Sequence, residues 1–271
     1  MAKKKTKPGR CVHCLRITGV TEDDHVFPDS WYPDSTPTTV QRWTAPSCPR
    51  CNREHGRLEN DLFIRLSMCV DSKKMAAAGL AAKAMRAMGF DTEGLSESEQ
   101  RHREAVRQKI KSEIVSRESL AGKPGKIPGL GPPDDTESQW SIPLPFAAFA
   151  IIVEKIVRGC EWRLRRRYIE EPYGVRISPD SGLNYPSVFE PWIKDIDLGP
   201  GCKIKYVCVT ENPNVSRYWI AIWDTMYFHI VVDFEEYLKQ VDLQSHKLEG
   251  IDPAEFPSGM RLSRYLRAYE E

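Results

Sequence analysis

A chain of 271 residues with a formal net charge of +1, from 39 Lys+Arg against 38 Asp+Glu, has no bulk positive field with which to coat nucleic acid. Any contact with a polyanion must be local. The length suits two ordinary domains of about 100 to 200 residues, and the longest apolar stretch, Pro145 to Val153, is too short to cross a bilayer, so no membrane association is expected.

The chain opens on a basic tail, Lys3, Lys4, Lys5, Lys7 and Arg10, with no apolar run behind it. That is not the pattern of a secretory signal, and a cytoplasmic, reducing compartment is expected, where paired cysteines bind metal more often than they form disulfides. Residues 1–70 form the first zone. Cys11-x-x-Cys14 and Cys48-x-x-Cys51 have the spacing at which two pairs grip a tetrahedral structural Zn²⁺, which would substitute for a core that the polar intervening loop cannot build. Leu58, Leu62, Leu66 and Cys69 then recur at helical spacing.

Residues 71–121 read as helical. Lys73 to Met88 is rich in alanine and methionine, and Ser96 with Glu99 makes a capping box that opens a charged helix to about Ser119, its run Arg101 to Lys111 a solvated face. Residues 122–138, with their glycines and prolines, read as a linker. In residues 139–271, Pro145 can start a helix over Ala147 to Arg166, and Lys203 to Thr210, Tyr218 to Ile222 and Tyr227 to Val232 read as strands of a small antiparallel sheet, with turns at Asn212-Pro213-Asn214 and Asp224-Thr225. The fold class is α+β. Trp192, Trp219 and Trp223 could stack on bases, but aromatics in strands are more often core, and His229 and His246 have no partner at catalytic spacing.

Chemistry concentrates between and just after the knuckles. The segments CVHC, DDHVFPDSWYP and SCPRCNREHGRLEND resemble the zinc-knuckle HNH endonucleases, in which a hairpin and a helix clamp one metal in a ββα-metal fold; the resemblance covers about the first quarter of the chain. It implies Asp24 and Asn52 as ligands of a catalytic divalent metal, His25 as general base and His55 near the scissile phosphate. Asp23 is the alternative to Asp24, Asn52 could instead cap the following helix, and His13 reads as a knuckle-loop residue. A neutral imidazole with a pKa near about 6.5 can take a proton from water, and a carboxylate with an amide oxygen suits Mg²⁺ or Mn²⁺.

One position departs from the family. Its middle asparagine should fall about nine residues before Asn52, where this chain has Gln41-Arg42-Trp43, so Gln41 or aromatic packing by Trp31, Tyr32 and Trp43 would have to brace the loop. The expected function is a metal-dependent endonuclease with nucleic acid, DNA above all, as its partner. Double-strand cleavage would call for a homodimer. The alternative is a non-catalytic zinc-knuckle adaptor that binds nucleic acid or protein.

Overall fold

The computed structural model describes residues 7–70, 74–90, 94–116, 140–142, 145–180, 182–208, 214–236 and 238. The expected linker, residues 3–5 of the basic tail, residues 212 and 213 of the expected turn, and His246 lie outside them. The protein is α+β: helices pack with a three-stranded and a five-stranded antiparallel sheet. No helix among the described residues is long and apolar enough to cross a membrane.

The first unit is two strand pairings and a helix. β1 (Lys7–Arg10) pairs with β2 (Ile17–His25), and β2 with β3 (Thr44–Ser47), in the order β1-β2-β3. The first cysteine pair sits in the tight β1–β2 loop, closed by Cys11 N–H to Arg16 O and Leu15 N–H to Cys11 O, both 3.0 Å. α1 (Pro49–Ser67) then starts immediately, because Pro49 presets a helical φ and Cys48 acts as N-cap, its Sγ accepting from Cys51 N–H at 3.4 Å. The helix begins well before the leucine spacing and ends before Cys69. Its buried stripe is also wider, taking in Leu62, Phe63, Ile64 and Leu66.

The middle segment differs from a continuous helix over 73 to 88. A 3-10 turn, Met75–Ala77, is followed by Gly79 at φ 76°, which only glycine adopts cheaply, and then by α2 (Leu80–Ala87). α3 (Glu97–Glu113) carries the expected capping box but stops before Ser119, because Ile114 is extended and leads into β4 (Val115–Ser116), paired with β5 (Trp140–Ser141).

α4 (Phe146–Arg165) is the expected long helix, and the sheet contains the three expected strands, β8 (Lys203–Cys208), β9 (Ser216–Ile222) and β10 (Met226–Phe234). Two further strands flank them: β6 (Tyr173–Asp180) and β7 (Lys194–Asp197), giving the order β6-β10-β9-β8-β7. Both are edges, where Pro179 costs no central ladder bond and where the hydrophobic pattern is diluted.

The apolar core does not follow the expected division at the linker. Trp31, Leu62 and Phe63 from the first unit share one cluster with Phe149, Ile152 and Ile156 of α4 and with Trp223 and Phe228 of the sheet. Trp31 and Trp223 have ring centroids 6.0 Å apart, and Trp223 Nε1–H donates to Trp31 O at 2.7 Å. α4 presses close on the hairpin at Gly159, where an added Cβ would lie 2.8 and 2.9 Å from the two γ-methyls of Val26. Overpacking of that kind costs about 1–3 kcal/mol, against roughly 1 kcal/mol gained by replacing a mid-helix glycine. Gly159→Ala is therefore expected to lower the urea midpoint with an unchanged m-value; a raised midpoint would show that Val26 yields freely.

Candidate metal centres

The four cysteines of the two knuckles come together. Their Sγ atoms all lie within 4.8 Å of one another, close enough to hold a metal ion, and Cys14 Sγ and Cys48 Sγ are 3.8 Å apart. A tetrahedron with metal–sulfur bonds of about 2.3 Å has edges of about 3.8 Å. Cys11, Cys48 and Cys51 are buried and Cys14 is partly exposed. The hydrogen bond from Cys51 pulls the Cys11 thiol down to about 3, against its burial, while Cys51, on the other side of that bond, is pushed up. The pair thus favours a thiolate at Cys11. None of the eight cysteines, all of them among the described residues, is in a disulfide.

A second cluster lies between the hairpin and α1. Successive strand residues face opposite ways, so Glu22 and Asp24 share one side of β2, while Asp23 and His25 share the other. Asp24 is buried at 7 % exposure, with His13 from the knuckle loop at 5 % and His55 from α1 at 4 %. One oxygen, one nitrogen and one nitrogen from these three lie within 4.8 Å of one another. His13 Nε2 is 3.4 Å from Asp24 Oδ2, and the two imidazoles meet edge to face with centroids 4.5 Å apart. Burial drives the His55 pKa well below its ordinary value, aided by His13 and Lys155, and so keeps the ring neutral.

The other oxygen of Asp24 is taken by a residue from the far side of the chain. Lys155, in the middle of α4 and 2 % exposed, places Nζ 3.1 Å from Asp24 Oδ1, 2.5 Å from Glu59 Oε1 and 2.6 Å from His25 O. Burial raises the pKa of both carboxyls; at Asp24 the adjoining His13 ring and the Lys155 charge outweigh it and hold the value low, whereas at Glu59 burial prevails. Asp24 is thus an anion gripped on one side.

The remaining expected site residues stand elsewhere. Asn52, in the first turn of α1, donates from Nδ2 to Glu22 Oε2 at 2.7 Å rather than meeting Asp24. Glu22, Pro49, Asn52 and Arg53 line an open cavity of about 310 Å³ at the helix N-terminus. The strand alternation turns the half-buried His25 side chain away from Asp24, and its Nδ1 is buried without a hydrogen-bond partner. The loop at Trp43 is braced in two ways. Its carbonyl accepts from Val26 N–H at 2.8 Å, and its indole N–H donates to Gln41 Oε1 at 3.1 Å. Trp31 and Tyr32 are fully buried behind it.

Four residues of this region escaped the sequence reading: His13 as more than a loop residue, Glu22, Glu59 and Lys155. Two had a signal. Glu59 follows His55 by four positions and so shares its helix face, and Glu154-Lys155 interrupts the apolar run of α4, where a buried charge demands a partner. A scan against protein-family models, a search of curated proteins and a search of solved structures each returned no match.

Proposed function

We propose that this chain is a zinc-stapled, metal-dependent endonuclease that hydrolyses phosphodiester bonds of DNA, similar in its first quarter to the HNH enzymes. The observation that carries the reading is topological and chemical together. The four-cysteine cluster closes a hairpin directly onto a helix, and across that ββα unit the carboxylate of Asp24 meets the imidazole of His55. The four thiols fit Zn²⁺ by donor type and spacing. The donors at Asp24 and His55 suit a second, divalent cation, which when bound would supply Lewis-acid stabilisation of charge on phosphorus and on the leaving oxygen.

The chain's own groups divide the remaining work. His25, half-buried at the end of β2, takes a proton from water; with Nδ1 enclosed, Nε2 is the nitrogen left for that task. Exposed Arg53, in the first turn of α1 beside Asn52, adds a guanidinium to the positive helix end and holds a backbone phosphate there. Asn52 with Glu22 shapes that anion-facing cavity. A single module nicks one strand, and double-strand cleavage requires two copies.

The test is relaxation of supercoiled plasmid in Mg²⁺ or Mn²⁺ by the intact chain, by His25→Ala and by Asp24→Ala. Loss of a general base slows such reactions by about 100- to 10,000-fold, and falls of that order are expected for His25→Ala with zinc content and fold preserved. Equal nicking by all three proteins would reject the assignment. One observation favours a second reading, a non-catalytic zinc-knuckle adaptor: His13, Asp24 and His55 are all buried, which restricts the approach of a phosphate. Nucleic-acid or protein binding without cleavage in any divalent metal would support it.

A further inference from the structure

The geometry points to a second metal centre whose ligands are His13, Asp24 and His55, a two-imidazole, one-carboxylate set that takes a first-row transition metal in preference to Mg²⁺. The inference deepens the nuclease reading by naming the cation class and by recruiting His13, but it stands or falls on its own measurement.

Three observations carry it. First, the three side chains come from three elements, the knuckle loop, β2 and α1, yet their donor atoms lie within 4.8 Å of one another. The His13 Nε2 to Asp24 Oδ2 separation of 3.4 Å is the edge of a tetrahedron with bonds of about 2.1 Å. Second, hydrogen bonds are missing within the cluster. Asp24 Oδ2, both ring nitrogens of His13 and Nδ1 of His55 are buried and make no hydrogen bond of acceptable geometry. Buried polar atoms are almost always satisfied, so several orphans in one cluster imply a group that satisfies them together. Third, Lys155 occupies only Asp24 Oδ1 and is shared with Glu59, so its ammonium orients the carboxylate while leaving Oδ2 open toward the imidazoles.

The donor types select the ion. Mg²⁺ prefers an all-oxygen shell and keeps several waters, which a buried pair of imidazoles cannot offer, whereas imidazole with carboxylate suits Mn²⁺, Fe²⁺, Co²⁺, Ni²⁺ or Zn²⁺. His13 lies between zinc-knuckle ligands Cys11 and Cys14, so the loop that wraps the thiolate site also presents a nitrogen to the second site. The two centres are therefore built by one loop.

The experiment uses the full chain. Labile metal is removed by mild chelation that leaves the four-thiolate site loaded, total metal is counted by elemental analysis, and Co²⁺ is titrated while its visible absorption is recorded. One further Co²⁺ per chain is expected, with d–d bands of nitrogen and oxygen ligation and no thiolate charge-transfer band. It should persist in millimolar Mg²⁺. Even outer-shell changes weaken metal sites by about 10- to 100-fold, so loss of a direct ligand in His13→Ala or His55→Gln should weaken Co²⁺ binding by about 100-fold or more. His102→Ala, at an exposed position on α3, should leave it unchanged. If His13→Ala fails to fold, His55→Gln and Asp24→Asn carry the comparison.

Cobalt uptake that stops at the thiolate site, Co²⁺ affinity indifferent to all three substitutions, or displacement by equimolar Mg²⁺ would overturn the inference. Its failure is separable from that of the nuclease reading. Two metals per chain with no nicking would reject hydrolysis and keep this site; nicking by a chain that binds only the thiolate metal would do the reverse.

Discussion

Replacing Cys48 and Cys51 together by serine is expected to abolish the native fold of the first 70 positions and to destabilise the remainder. Structural zinc in small thiolate sites contributes about 10–16 kcal/mol of apparent folding free energy, comparable with the whole net stability of a typical domain, about 5–15 kcal/mol. Little else here could replace it. The buried knuckle cysteines form their own small cluster, apart from the main core, so sulfur is a principal link between the β1–β2 loop and the start of α1, beside the His13–His55 ring contact. Because Trp31 and Phe63 belong to the same core as Trp223, the loss should reach the sheet as well. Near-ultraviolet circular dichroism and urea unfolding of the double variant, and of the native chain treated with a strong zinc chelator, report it. A metal-free chain that melts like the loaded one would remove the staple from the account of this fold.

Lys155→Met is the second large effect, expected to cost about 3–5 kcal/mol, the usual penalty for removing one partner of a buried ion pair. The ammonium serves Asp24, Glu59 and the carbonyl of His25 at once, and all three lose it. Methionine matches the stem of the lysine, so packing in α4 changes little and the loss is electrostatic. Adding Glu59→Gln to Lys155→Met should recover part of the stability, because it removes one of the stranded carboxyls, and a double-mutant cycle in urea measures that coupling. A Lys155→Met penalty below about 1 kcal/mol would mean that water or a rearranged side chain reaches these groups after the substitution.

The convergence of the four cysteines was legible because two CxxC pairs at this spacing suit one ion, and the long helices were legible from periodicity and from the Ser96–Glu99 cap. The edge strands β6 and β7 were not, since an edge needs neither unbroken alternation nor freedom from proline. Adjacency in sequence did not set the grouping of side chains. Asp24 and His25 are neighbours in the chain, but a strand sends neighbours to opposite sides, and the partners of Asp24 come instead from positions 13, 55 and 155. His55 was expected beside the scissile phosphate, and the structure groups its side chain with those of His13 and Asp24. Glu154-Lys155 signalled a buried charge, but which group it meets could be found only with the fold in hand, because Asp24 lies 131 positions earlier.

The indole of Trp223 donates to a carbonyl 192 positions upstream. During synthesis, then, the face of the first unit that carries Trp31 emerges long before the strand-end residue that covers it. Closing so wide a loop delays that contact relative to local ones. A ribosome-bound chain halted ahead of the sheet should therefore present Trp31 and Phe63 to solvent and recruit chaperones, and an excised N-terminal fragment should aggregate where the whole polypeptide remains dispersed.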